Sequence, residues 1–595
     1  MRRSLILTVS LFVTLLCVAQ AVKSPNGKLK AVITCDSQDM TALSVYYCGQ
    51  KMTSVKLGVE CNGESYAHLS EDSYKKRKID ESYIAIHGKR SVRENHANEL
   101  SVLFNNEHGK PLMIIVRTYN DGVCFRYALP QSQKGDRLTA EYTDFDLSET
   151  SSRWQQRYIT CYEGDYPVST RFVDGHWGFP LLARAGEKWM LLSEADIDRH
   201  CCATHLRSEG ASYHVAFPFE WEGNNTGHSQ PTLCDAWQSP WRVMIIGSLA
   251  TIVESTLVED VCPPSCIGDA SWIKPGRASW VYWAYNRGTK DYQICCRYVD
   301  LAAEMGWEYV LFDWEWDQMT NGGTLRDAAT YALSRGVKPL LWYNSGGEHT
   351  RVMGTPRDRM ISHESRMKEF RWLKEMGFAG VKVDFFESDK QNMMNYYLDI
   401  LKDAASMQMM VDFHGCTIPR GWSRTYPNLI SMEAVFGAEQ YNNSPRMTPI
   451  AARLNCTLPF IRNVVGPMDY TPVAFTNSQH PHITTDEHEL ALAVIFESAI
   501  QHWADRPEGF LSLPKEKQDF MRNIPVAWDD TKLIGGYPGR DIVIARRKGN
   551  SWYVAALNGE DREKQITIDL SFLRRKPITV NLKPRDGYTM IINNK

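Results

Sequence analysis

The chain lacks most of what would assign it to nucleic acid, membrane or zinc. Its 595 residues carry 67 Lys+Arg against 70 Asp+Glu, a net charge of −3. There is therefore no basic excess to meet a phosphate backbone and no acidic tail. Beyond the N-terminus no apolar run is long enough to span a bilayer. The 15 cysteines are scattered, without the repeated C-x-x-C spacing of a zinc site. Cys201–Cys202 and Cys295–Cys296 are adjacent pairs, which rarely bridge to each other. Cys35/Cys48 and Cys262/Cys266 are spaced for local disulfides in an oxidising compartment, and buried free thiols fit them equally well. What these absences leave is a globular chain of ordinary composition, long enough for two to four domains.

What is present starts at the N-terminus. Arg2 and Arg3 precede the apolar stretch Leu5–Val18, and Ala19-Gln20-Ala21 follows as an A-x-A cleavage site. That pattern predicts a signal peptide over 1–21 and a soluble protein in the periplasm or outside the cell. Cys17 follows Leu16 rather than a small residue, which disfavours a lipoprotein. Aromatics are plentiful, with 18 Trp and 27 Tyr. A large core accounts for them first, and sugar binding second, because aromatic faces pack on the C–H faces of sugar rings.

From 22 to 268 short alternating runs recur, among them Leu29–Thr34, Ser82–His87, Leu112–Thr118, Val123–Ala128, Trp189–Ser193 and Arg242–Ile246. Gly, Asn, Asp and Pro separate them, which predicts a large β-sandwich. Cys262-Pro263-Pro264 reads as a linker. Over 269–520 the rhythm becomes strand, helix, strand, at about 30 residues per βα unit. Strands are predicted at Trp280–Tyr285, Glu308–Trp316, Val337–Tyr343, Val381–Phe386, Met409–Phe413, Leu429–Val435, Leu458–Val465 and Phe510–Leu513. The intervening helices are Tyr292–Met305, Leu325–Ser334, Ser365–Met376 and Asn392–Ser406, with Glu487–Trp503 before the last strand. Eight strands in this order predict a (β/α)8 TIM barrel. Residues 521–595 alternate without helix signals and predict a small all-β C-terminal sandwich.

In such barrels the catalytic groups come from the C-terminal ends of strands. Asp313 ends the second strand, Lys382 and Asp384 the fourth, Asp412 and His414 the fifth, and Glu433 and Glu439 follow the sixth. Arg462 and Asp469 follow the seventh. One such acid is ordinarily a cap or a structural hydrogen bond. Six or more strand ends with charged or aromatic groups exceed what capping needs and predict an aromatic-lined polar pocket suited to a sugar. Lys382 and Asp384 lie two apart, hence on one face. The lysine favours an ionised Asp384, a nucleophile or electrostatic stabiliser. Its partner must be a protonated carboxyl, Glu433 or Glu439.

These residues carry a resemblance. Phe312-Asp313-Trp314, Gly380–Phe386, Asp412-Phe413-His414, Met432-Glu433 with Gly437-Ala438-Glu439, and Arg462–Thr471 are similar to glycoside hydrolase family 97. Leu191–Asp196 and His488–Ala491 extend the match over nearly the whole chain after residue 21. The resemblance implies the domain order already read. It also implies Glu439 as proton donor, and calcium held by Glu194, Glu433 and Glu439. Inverting members of the family use base glutamates, and the matching positions here are Gly415 and Gly346. The retaining branch carries an Asp nucleophile at the fourth strand, which Asp384 matches. The resemblance thus implies a calcium-dependent retaining exo-α-galactosidase with Asp384 as nucleophile and Glu439 as acid/base. The two carboxyls are expected roughly 5–5.5 Å apart. Lys382, His414, Arg462 and Asp313 are expected on sugar hydroxyls. A β-L-arabinopyranosidase is the near alternative, then an inverting α-glucosidase, then a catalytically silent carbohydrate-binding protein. The expected partner is an oligosaccharide, and the expected state a monomer or weak homo-oligomer.

Overall fold

The computed structural model describes residues 18–35 and 40–593. Residues 1–17, most of the predicted signal peptide, lie outside the described residues. Ala19-Gln20-Ala21 belongs to a strand, Val18–Lys23, that pairs antiparallel with Leu29–Cys35.

The N-terminal third is an antiparallel β domain with seventeen strands in one hydrogen-bonded network. Predicted strands recur within it as Pro111–Thr118, Gly122–Leu129, Lys188–Ala195 and Trp241–Gly247. A small antiparallel domain closes the chain, with strands Asp530–Tyr537, Asp541–Lys548, Ser551–Asn558 and Gly587–Asn593 in one sheet. One connected cluster of buried apolar side chains runs from Val22 through the central domain to Leu557, so the three units share a core. Of the two readings of the cysteine pairs, bridged or not, the described residues show the second. Cys48, Cys262 and Cys266 are free thiols, and the Cys262 thiol points at the Val258 and Arg420 carbonyls.

The central domain is a parallel barrel, nearly closed. Its strands are β1 (Gly276–Trp280), β2 (Tyr309–Phe312), β3 (Lys338–Asn344), β4 (Gly380–Asp384), β5 (Met410–Phe413), β6 (Leu429–Met432) and β7 (Ile500–Ala504). They pair in the order β6-β5-β4-β3-β2-β1-β7, seven strands where the sequence predicted eight. Helices Tyr292–Met305 and Leu325–Ser334 form over the predicted residues. Their caps explain the sharp boundaries. The Asp291 carboxylate accepts from two backbone N–H groups, Gly306 takes the left-handed C-terminal position, and Thr324 and Asp327 make a capping box.

Two predicted strands fail for local reasons. Leu458–Val465 folds as two short 3-10 turns. Pro459 cannot donate to a ladder, and side chains take over the closure between β6 and β7. The Asn463 amide donates to Gly466 O and Glu497 O, and its carbonyl accepts from Glu497 N. Phe510–Leu513 lies in and beyond a helix, Pro507–Leu511, started by Pro507. The last strand, β7, comes from the end of the predicted helix Glu487–Trp503, which stops at Ile495.

Strand alternation decides which side chains enter the barrel. On β4, Val381 and Val383 pack outward into the large core, which turns Lys382 and Asp384 inward. On β5, Val411 and Phe413 do the same and turn Asp412 inward, with His414 next in the alternation. The inner wall below them is apolar, built from Ala278, Trp280, Leu311, Leu340, Met410 and Ile430.

Candidate active site

A cavity of about 320 Å³ opens at the C-terminal ends of the barrel strands. Asp313, Lys382, Asp384, Glu433 and Glu439 line it, with Tyr282, Trp314, Trp342 and Phe385 as its aromatic wall. Strand ends from one side of the barrel and the 433–443 segment from the other thus bring together five of the residues read from the sequence.

Asp384 is held from two directions. The Trp342 indole N–H donates to Oδ2 at 3.1 Å. A Cβ built on Gly415 would lie 2.8 Å from Oδ1 and 2.8 Å from the Phe385 nitrogen, and Gly415 has φ +48°. Burial raises the Asp384 pKa, Lys382 and His414 pull it back, and the result is about 6. Glu439 is pushed higher, to about 8, by burial and by the negative charge of Glu433. Two carboxyls in one cavity with pKa values driven apart are suited to opposite roles, the lower as anion and the higher as acid.

Lys382 forms a buried ion pair with Asp313, Nζ to Oδ2 at 3.1 Å, and sits 4.9 Å from the Trp280 ring centroid. The Trp280 indole donates to the same Asp313 oxygen at 2.8 Å. Burial opposes the lysine charge, but Asp313, Asp384 and Glu439 outweigh it and hold the ammonium well above the usual lysine range. Tyr282, Trp314 and Trp342 stack in sequence, at 6.5 and 5.8 Å between centroids and within 10° of parallel. They form a flat, rigid wall of the kind that meets a sugar ring.

Two expectations about the sugar contacts change. Arg462 is fully buried and gives its donors to main-chain carbonyls: Nε to Ala434, Nη1 to Gly466, and Nη2 to Met432, Glu433 and Pro467. With its fork spent on the backbone it fixes the 432–434 and 466–467 segments and has nothing left for a substrate. His414 is buried beneath the cavity. Its Nε2 lies 2.8 Å from Asp469 Oδ2 and its Nδ1 3.3 Å from Glu433 Oε2. Burial opposes protonation, yet Glu433 and Asp412 raise its pKa well above the ordinary histidine value. Its ring nitrogens thus face acids rather than the open cavity.

Among the described residues two groups of side chains could hold a metal ion: Asp412, His414, Asp469 and His502, and His414, Glu433 and Glu439. In the first, His502 Nδ1 and His414 Nε2 lie 2.6 and 2.8 Å from Asp469 Oδ2, which are hydrogen-bond distances. That group satisfies much of its charge internally. Glu194 joins neither. It is fully buried, with Oε1 taking Thr204 N and Arg420, and Oε2 taking the Thr204 hydroxyl and Arg242. Two arginines neutralise it, and both its oxygens face protein donors rather than the cavity. The acid that the N-terminal domain does bring to the cavity is Glu163. Burial and the charges of Glu433, Glu439 and Asp384 raise its pKa well above the carboxylate range, and its Oε2 accepts from the Gln440 amide at 2.8 Å. Glu433 and Glu439 form the second group with His414, and Glu163 lies outside it but near enough for their charges to raise its pKa. Carboxylate oxygens suit calcium, and Glu163, not Glu194, is the N-terminal-domain acid that lines the cavity.

Sequence reasoning missed Glu163, Tyr282 and the role of Trp342. Glu163 lies in Cys161-Tyr162-Glu163-Gly164-Asp165-Tyr166, a polar segment of the β domain whose destination no local pattern reveals. Tertiary pairs fasten it to the barrel: the Tyr162 hydroxyl to Asp389 at 2.5 Å, Arg420 to the Tyr162 hydroxyl at 3.1 Å, and Arg453 to Asp165 at 2.5 Å.

Comparison with known proteins matches three family models: glycosyl-hydrolase 97 N-terminal over residues 22–264, glycoside hydrolase 97 over 278–435, and glycosyl-hydrolase 97 C-terminal, oligomerisation, over 527–592. A protein of Streptomyces bingchenggensis named "Probable retaining alpha-galactosidase" is 33% identical over 84% of this chain and 76% of its own. A "Retaining alpha-galactosidase" of Bacteroides thetaiotaomicron is 28% identical over 93% of this chain and 89% of its own. Among solved structures, a beta-arabinopyranosidase superposes with TM-score 0.90 at 32% identity, over 96% of this chain and 100% of that one. A family 97 enzyme from Pseudoalteromonas sp. strain K8, at 20% identity and TM-score 0.83 over 96% of this chain and 98% of that one, shares the fold.

Proposed function

The chain belongs to glycoside hydrolase family 97, and from that premise we propose that it is a retaining exo-α-galactosidase, dependent on calcium, that cleaves terminal α-D-galactosyl residues through a glycosyl-enzyme. The observation that carries the reading is the seat of Asp384. The carboxylate lies against a glycine whose missing side chain it needs, so a base glutamate at 415 and a nucleophile at 384 exclude each other sterically. Gly346 is equally closed to an acid, since a Cβ there would meet the Asp358 nitrogen at 2.5 Å.

In the first step the Asp384 carboxylate bonds to C1 of the galactosyl ring from the β face. The bond from C1 to the glycosidic oxygen breaks, and that oxygen takes the Glu439 proton. In the second step water adds to C1, its proton returns to Glu439, and the ester to Asp384 breaks, restoring the α configuration. Trp342 holds one Asp384 oxygen and so fixes the carboxylate's direction of attack. Lys382 keeps Asp384 ionised and, with Asp313, offers donors and acceptors to ring hydroxyls. Arg462 and His414 act through the segment and the acid they hold, not on the sugar. Calcium, held by Glu163, Glu433 and Glu439 when bound, would supply a fixed positive charge beside the acid/base. The predicted leader and an exported location remain part of this reading, supported by the basic and apolar pattern of residues 2–21.

A second reading, β-L-arabinopyranosidase, is favoured by the likeness to a solved beta-arabinopyranosidase across the whole of that chain. That sugar shares the galactose ring stereochemistry and lacks the hydroxymethyl group. The test is Asp384→Gly with p-nitrophenyl α-galactoside and p-nitrophenyl β-L-arabinopyranoside. Turnover should collapse on the preferred sugar, and azide should restore it with a glycosyl azide of inverted anomer. Undiminished turnover in the variant refutes the nucleophile, and release of the inverted sugar by the wild type, followed by NMR, refutes retention.

A further inference from the structure

Trp221 leaves 58% of its surface exposed, and Met353 71%. A single exposed apolar side chain needs no explanation. These two sit on segments tied together beside the cavity, and the tryptophan is held flat. Its ring stacks on Phe219 at 5.5 Å and 16°. Phe219 is itself packed by Tyr158, His176 and His205, at 5.9, 4.8 and 5.1 Å. One face of the indole is thus fixed by a stack of rings and the other is open.

The loop that carries it is sewn to the barrel. Lys390 Nζ donates to the carbonyls of Glu220, Glu222, Thr226 and Gly227. Gly223 N donates to Glu387 O at 2.9 Å, two residues beyond Phe385 of the cavity wall. Arg351, the neighbour of the wall residue Val352, donates to the Asn224 side-chain oxygen Oδ1 at 2.9 and 2.7 Å. The Asn344 amide pins Val352 and Gly354 by their carbonyls, which leaves Met353 turned outward between them. The loop therefore meets both segments that form one lip of the cavity.

We propose that Trp221 is a platform for the saccharide on the leaving-group side of the substrate. The inference deepens the exo-glycosidase reading and rests on it. An aromatic face that is already immobilised stacks on the C–H face of a pyranose without the ordering cost of a free side chain. The occupant is accordingly a second or third sugar ring, which a glycosyl fluoride lacks.

The test compares the full-length wild type with Trp221→Ala and Trp221→Phe on α-galactosyl fluoride and on the trisaccharide raffinose. In Trp221→Ala the KM for raffinose should rise about tenfold with kcat kept, and both constants for the fluoride, whose leaving group has no ring to stack, should stay unchanged. Trp221→Phe keeps a flat face and should recover most of the loss. Unchanged raffinose kinetics, or equal losses on both substrates, overturn the platform. A wild type inert on both galactosides overturns the galactosyl reading instead. The same variants are then compared on β-L-arabinopyranosyl fluoride and a β-L-arabinopyranosyl disaccharide, where the same contrast decides the platform.

Discussion

Gly415→Ala tests whether the architecture around Asp384 has room for anything but a nucleophile. The added Cβ would meet Asp384 Oδ1 and the Phe385 nitrogen at 2.8 Å and the Phe385 Cα at 3.0 Å. Ordinary contact is near 3.5 Å, so the carboxylate or the backbone must yield by roughly 0.5 Å or more. Two of the three atoms belong to backbone, and the carboxylate oxygen is the part that can swing. A left-handed alanine costs a further 1–2 kcal/mol, roughly, wherever it is placed. The control for that cost is Gly336→Ala, which has φ +78° and nothing within 4 Å of its added Cβ. A displacement of about 1 Å in a reacting group can lower a rate about 100-fold. Gly415→Ala should therefore lower kcat by roughly ten- to a hundredfold on the preferred p-nitrophenyl glycoside, while Gly336→Ala lowers only the melting temperature. A folded Gly415→Ala protein with wild-type kcat refutes the reasoning, as does an equal loss of activity in Gly336→Ala.

Three other outcomes follow from the same geometry. Asp384 must be ionised and Glu439 protonated, so kcat/KM should rise as pH passes about 6, fall as it passes about 8, and lose the acid side further in Lys382→Met, which removes a charge that lowers the Asp384 pKa; an acid limb that stays in place in that variant contradicts the pairing. Arg462→Ala strands five buried carbonyls and should cost on the order of 3–5 kcal/mol. A steep fall in melting temperature is expected, whereas a raised KM at unchanged stability would return Arg462 to the sugar. After EDTA treatment, Glu163→Gln should need about tenfold more calcium to regain activity, by the loss of one charged ligand, whereas Glu194→Gln should lose stability with its calcium midpoint unmoved; the reverse pattern would restore Glu194 as the ligand.

Much of the site was legible because strand patterns are local. Gly380-Val381-Lys382-Val383-Asp384 alternates β-branched and polar residues, and that alone sends the lysine and the acid to one face. The caps at Asp291 and Thr324 likewise announce their helices. The eighth strand was illegible because Leu458–Val465 is apolar enough for a strand, while Arg462 and Asn463 spend their side chains on closing the barrel. The strand Ile500–Ala504 was hidden in the tail of an apolar helix pattern, since a short buried run has no period to distinguish the two.

The sequence by itself determined the three-part architecture, the inward pair Lys382 and Asp384, the acids at 433 and 439, and the glycines at 415 and 346. These follow from period, punctuation and residue type, which act over a few residues. The tertiary structure alone decided the destinations of the long side chains and of the β-domain segment 159–166. Glu194 met two arginines and was neutralised. Glu163 met acids with no such partner, and burial and their charges raise its pKa beside the cavity. Both are glutamates of one antiparallel domain, and which of them faces the reaction depends on contacts to Arg242, Arg420, Asp389 and Arg453, from a neighbouring strand or across the barrel. No local pattern encodes those partners, because a charge has a role only once the groups that surround it are in place.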